Sequence, residues 1–96
     1  MDIVEEVCTG VVDGGMLLAG ESRFLVLARV RPPRVGIPGG AVLRMLAQRL
    51  VQDQTIRVQP VGKDAYGHEV VEVWIGDRNL NDYILHQIRE RGYGDD

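Results

Sequence analysis

Apolar and polar positions alternate from Ile3 to Val12, with Val7, Thr9 and Val11 on one face and Cys8 and Val12 on the other, which predicts a strand. Asp13-Gly14-Gly15 supplies a hairpin turn, Met16 to Ala19 a short return strand, and Gly20-Glu21-Ser22 a second turn. Phe24 to Arg31 reads as the longest strand, with Phe24, Val26, Ala28 and Val30 on one face and Leu25, Leu27, Arg29 and Arg31 on the other. Its first half is apolar on both sides, and its second half turns Arg29 and Arg31 toward solvent or a ligand. Pro32 and Pro33 cannot donate ladder hydrogen bonds, so regular pairing is expected to end there, and a Gly- and Pro-rich loop follows to Gly40.

The period then changes. Val42, Leu43, Leu46, Ala47, Leu50 and Val51 recur at helical spacing, which predicts a helix over Ala41 to Val51 with Arg44, Gln48 and Arg49 outward. Strand spacing returns over Thr55 to Val61, where Ile56 and Val58 alternate with Arg57 and Gln59, and over Glu69 to Ile75, where Val71, Val73 and Ile75 share a face. Gly62 to Gly67 forms the loop between them. Gly76-Asp77 turns the chain into a second helix, with Asn81 as its expected cap, Leu80 and Leu85 as a staple, and Gly92 as its stop after Arg91.

At 96 residues the chain makes one domain, 1–96, with a single small core. Its 45% hydrophobic and 26% charged content suits a folded protein. Cys8 is the sole cysteine, so no internal disulfide forms; it reads as a small core residue. The acidic N-terminus lacks the basic start and apolar run of a secretion signal, and no stretch is apolar enough to span a bilayer; the expectation is a cytoplasmic protein without a membrane partner. The net charge of -3 argues against strong non-specific DNA binding, yet residues 21–60 hold seven bases against two acids, so a basic face is expected.

The run from Val11 to Gly39, together with Val58 to His68 and Glu72 to Asn81, resembles the staphylococcal-nuclease-like (thermonuclease) family, whose members read roughly "VVDGDT…VRLxGIDAPE" and later "DxYGR". The resemblance covers about Val7 to Tyr93. It implies an α+β fold that is mainly β with two helices, namely a five-stranded OB-like barrel of the staphylococcal nuclease type without the family's third C-terminal helix. Barrel closure is implied by the resemblance, since periodicity supplies only strands and helices.

In that family a calcium ion, two aspartates, a glutamate and two arginines hydrolyse DNA and RNA phosphodiesters. By the resemblance the two aspartate positions are held here by Gly15 and Gly36, the glutamate position by Gly39, and the second arginine position by His68; the first arginine is kept as Arg31, and Pro38 anchors the alignment. Calcium seeks six to eight oxygens, carboxylates among them. No metal, no cofactor and no catalytic residue is therefore expected. Asp13 is read as shaping its turn, Trp74 as surface packing or a partner contact, and His86 as solvated. His68 is read as a loop histidine that the sequence gives no carboxylate to orient.

The expectation is thus a catalytically inactive binding module. Arg29, Arg31, Arg34, Tyr66 and His68 are the candidate residues for holding a single-stranded nucleic acid weakly, by charge and stacking. The alternatives are a protein-interaction domain, docking another chain or a second copy of itself, and a residual calcium-dependent nuclease. Restoring Gly15→Asp, Gly36→Asp, Gly39→Glu and His68→Arg together is expected to rebuild calcium affinity.

Overall fold

The computed structural model describes residues 3–33 and 36–93. Eight elements follow in order: β1 (Val4–Asp13), β2 (Met16–Ala19), β3 (Arg23–Leu27), α1 (Gly40–Val51), β4 (Thr55–Lys63), β5 (Glu69–Ile75), β6 (Arg78–Asn79) and α2 (Leu80–Arg91). Antiparallel neighbours run β3-β2-β1-β4-β5-β6, and a parallel pairing of β3 with β5, Leu25↔Glu69 to Leu27↔Val71, closes five of them into a barrel. The fold is therefore α+β and OB-like, as expected, with β6 an additional two-residue strand that the sequence reading missed.

Strand alternation decides what enters the barrel. Leu17, Ala19, Leu25, Leu27, Ile56, Val58, Val71 and Val73 point inward and are fully or almost fully buried. One face of α1 (Leu43, Ala47, Val51) and one of α2 (Leu80, Ile84, Ile88) complete the core. Inward at the mouth lie Glu6, Arg23 and Glu69: Arg23 pairs with Glu6 and reaches both oxygens of Glu69, Nη2 to Oε1 at 2.7 Å. The hydrogen bond from Arg23 holds the Glu69 carboxyl below its ordinary range, with further help from the Arg23 and Lys63 charges, against desolvation. A folded-state carboxyl pulled down in this way contributes stability that is present above the unfolded carboxylate pKa and is lost as pH falls through the folded one. Glu69→Gln is accordingly expected to flatten the acid limb of a stability-against-pH curve from urea melts, with its cost shrinking below about pH 4.

Three local expectations are corrected. Simple alternation put Val7 with Val11, and Cys8 with Val12, but Cys8 and Val11 are the buried pair while Val7 and Val12 are exposed. Between Cys8↔Ala19 and Gly10↔Leu18, β1 advances two residues while β2 advances one. Thr9 is thus a bulge, which brings Val11 to the same side as Cys8, and a second shift between Val11 and Asp13 follows. Next, β3 stops at Leu27, well short of the prolines, because Arg29 takes a left-handed conformation at φ 68° and breaks the ladder. Last, the cap of α2 is Asn79, whose side chain accepts from the Asp82 N–H at 2.8 Å. Arg78 lies over the Tyr83 ring at 5.2 Å, a cation–π contact at the positions a hydrophobic staple would use. Asn81 is instead entirely buried.

The Cys8 thiol lies inside the barrel, donates to the Gly10 carbonyl at 3.2 Å, and has its pKa pushed up by burial. A thiol held protonated is a poor nucleophile, in keeping with a core role. Among the described residues no helix is long and apolar enough to cross a membrane.

Candidate functional site

The sequence-selected residues fall into three separate places. The first is the end of the barrel reached by the β1–β2 turn. Asp13 Oδ1 accepts from the Gly15 N–H at 2.7 Å and so shapes that turn, while the Gly15 carbonyl accepts from Leu27 at 2.9 Å. The Pro32 ring occupies the space beside Gly15, where a Cβ would lie 2.8 Å from Pro32 Cδ. Gly39 caps α1 at φ 91°, and a Cβ there would stand 2.6 Å from Cγ of Tyr93. Arg31, exposed, borders a groove of about 550 Å³ shared with Pro32, Ile37, Pro38, Arg91 and Tyr93. Gly36, at φ 102°, faces open space. Arg34 lies outside the described residues.

The second place is the side of the barrel. Arg29 binds both oxygens of Glu72, Nη2 to Oε1 at 2.8 Å and Nε to Oε2 at 3.1 Å, and donates to Asp82 at 2.9 Å. These hydrogen bonds, Glu72 first and Asp82 second, raise its already high pKa. Two carboxylates therefore already satisfy this guanidinium, and Arg29 is poorly placed to take up a phosphate as the charge pattern implied.

The third place is the opposite end of the β3–β5 seam. His68 precedes Glu69, the partner of Leu25, whereas Arg31 follows Leu27, the partner of Val71. Three strand steps, roughly 10 Å, set the two ends apart, so Arg31 and His68 do not share a pocket. What meets His68 is Phe24, at a ring-centroid distance of 5.8 Å, and Tyr66, at 6.4 Å. Tyr66 is 87% exposed and Phe24 40% exposed. Outward neighbours by register are Leu18 beside Phe24, and Met16 and Val70 flanking Val26, all half-buried. Lys63, paired across the strands with Glu69, is exposed nearby.

Asp64 builds this loop. Its Oδ1 accepts from the backbone N–H groups of Tyr66 and His68, each at 2.9 Å, and its Oδ2 lies 3.3 Å from His68 Nδ1. Desolvation pushes the Asp64 carboxyl up, but the N–H groups of His68 and Tyr66 together with the imidazole outweigh it, leaving the carboxyl below its ordinary range. A carboxylate does orient His68, contrary to the sequence reading. Phe24 and Asp64 were both missed. Phe24 was assigned only by strand parity, and Asp64 only as loop, although an Asp two residues ahead of an aromatic and three ahead of a Gly carries the side-chain-to-backbone turn signal.

Chemically, the ends differ. The Gly15–Gly39 end has no carboxylate at the sites the resemblance marks, and Pro32 and Tyr93 crowd two of them, so the residues present do not fit a calcium ion. Among the described residues no three of His, Cys, Asp or Glu gather as metal ligands. The Phe24–Tyr66–His68 end gathers two exposed rings and a half-buried imidazole, Phe24 from β3 and the other two from a braced loop, an arrangement suited to stacking. No protein-family model matches the chain, and no curated protein proves similar to it.

Proposed function

We propose that this chain is a catalytically inactive, staphylococcal-nuclease-like binding module that holds a single-stranded nucleic acid weakly by stacking bases on Tyr66, His68 and Phe24. The observation that carries this reading is the exposure of Tyr66, at 87%, on a loop whose conformation Asp64 fixes, with two further rings within 6.4 Å of one another in sequence from Tyr66 to His68 to Phe24. OB-type barrels use the outer face of strands two and three and the loop between strands four and five for such ligands, and that is where these rings stand. The link between that location and a nucleic-acid ligand is an analogy of fold.

Charge tempers the affinity. Arg23 and Arg29 are each occupied by two carboxylates, which leaves Lys63 as the nearest cation without an ion pair among the described residues. A dissociation constant on the order of 10⁻⁴ M with a shallow salt slope is expected, because few phosphates are neutralised. Titration of ¹⁵N-labelled protein with a single-stranded oligonucleotide should shift the amide signals of Tyr66, His68 and Phe24 while leaving Arg29 unmoved, and Tyr66→Ala should weaken binding by about 1–3 kcal/mol. Spectra undisturbed by oligonucleotide sink the reading.

A second reading, docking of a protein, is favoured by the half-buried Met16, Leu18, Val26 and Val70 that surround Phe24 on the same outer face. Aromatic anchors ringed by apolar contacts are the usual core of such interfaces. Shifts centred on these four residues that follow protein concentration rather than oligonucleotide would favour it.

A further inference from the structure

The interplay of Asp64 and His68 goes beyond stacking, and it rests on the reading of this end of the barrel as the ligand face. An imidazole nitrogen beside a carboxylate carries the proton, and in the neutral ring the other nitrogen is then left as an acceptor. With Nδ1 3.3 Å from Asp64 Oδ2, His68 presents Nε2 as the acceptor. The ring is fixed further by its own backbone N–H on Asp64 Oδ1 and by the contact with Phe24. The turn is closed from the other side as well: the Asp64 N–H donates to the His68 carbonyl at 3.0 Å, and the Gly67 N–H to the Asp64 carbonyl at 3.1 Å. A fixed acceptor on an aromatic surface adds to stacking one hydrogen bond from an N–H or O–H donor on the ligand's edge.

We propose that Asp64 is a positioning residue that locks His68 as a one-way hydrogen-bond acceptor between Phe24 and Tyr66, so that a stacked base is held by one added hydrogen bond from an N–H on its edge, such as the N4 group of cytosine or the N6 group of adenine. Asp64→Asn is the informative variant. Its carbonyl oxygen still accepts from the Tyr66 and His68 N–H groups, so the loop survives, but its amide nitrogen now faces Nδ1 and donates to it, which moves the imidazole proton to Nε2.

Long-range ¹H–¹⁵N correlation spectra of the imidazole at about pH 8, above the ordinary histidine range, report the tautomer without any ligand. The expected result is Nδ1–H in the wild type and Nε2–H in Asp64→Asn. Titration with a deoxycytidine oligonucleotide should then show binding weakened by about two- to tenfold in Asp64→Asn, the effect of one hydrogen bond. A wild-type ring carrying Nε2–H overturns the positioning role whatever binds. The expected tautomers with equal oligonucleotide affinity overturn the added hydrogen bond. The expected tautomers with no binding by either protein overturn the functional reading itself, and the recognition built on it.

Discussion

Asn81→Ala is expected to lower the unfolding free energy by about 3–5 kcal/mol, a large part of the ~5–15 kcal/mol that a small domain has in total. Asn81 is the one fully buried polar side chain among the described residues. Its Oδ1 accepts from the Val73 N–H at 2.9 Å, and its Nδ2 donates to the carbonyls of Ala28 and Val71, each at 3.0 Å. One side chain at the start of α2 thus ties together β5 and the turn that follows β3. Truncation would leave the Val73 donor and the Ala28 acceptor dry and unpaired; Val71 would keep its bond from the Ala28 N–H at 2.9 Å. Urea denaturation measures the loss.

Asn81→Asp gives a sharper form of the same test. It keeps an acceptor for Val73 but points a second carboxylate oxygen at two carbonyls in a dry site. Such a carboxyl has its folded pKa raised above the unfolded value, so its favourable protonated form contributes fully at low pH and the stability is lost as pH rises through the folded pKa. The deficit of Asn81→Asp against wild type should therefore be smaller at about pH 4 than at about pH 7. A deficit that does not depend on pH would mean that water already reaches the site.

Asn81 also shows how far the sequence could be read. An Asn at the head of an apolar helix signals a cap, and the chain has two of them two residues apart, Asn79 and Asn81. Local propensity could not choose between them. The choice is made by β6, which extends the chain to Asn79 against Trp74 and so turns Asn81 inward. The inward residues of β4 and β5 and the buried faces of both helices were legible because one periodicity runs through each, in β4 as far as Pro60. Facing along β1 was not, since the bulge at Thr9 is set by pairing with β2. The candidate site was legible in Tyr66 and His68, which do stand together, but not in Phe24 and Asp64, and Arg29 found Glu72, a residue 43 positions away that no local pattern announces.

Gly39→Glu carries the other large effect, and it reverses what the family resemblance implied. At φ 91° a residue with a Cβ sits in the left-handed region, which costs about 1–2 kcal/mol. The new Cβ would also stand 2.6–2.8 Å from three atoms of the Tyr93 ring, so Tyr93 must leave the core edge it packs against. Losing that burial adds about 1–2 kcal/mol, for about 2–4 kcal/mol together. Because the offending atom is Cβ, Gly39→Ala should cost nearly as much as Gly39→Glu, whereas a carboxylate effect would separate the two. Gly15→Asp meets a stiffer obstacle, since Pro32 Cδ and Cγ lie 2.8 and 3.0 Å from the new Cβ and a proline ring cannot rotate aside. Combining Gly15→Asp, Gly36→Asp, Gly39→Glu and His68→Arg is thus expected to give a destabilised chain with no calcium affinity in calorimetric titration. Nor would the set converge if it folded, since residue 68 stands at the far end of the β3–β5 seam from Gly15. Gly15 and Gly39 are then held as glycines by Pro32 and Tyr93, the packing partners that close that end of the barrel. A combined variant as stable as wild type, with chelator-reversible calcium uptake, would show instead that Pro32 and Tyr93 yield.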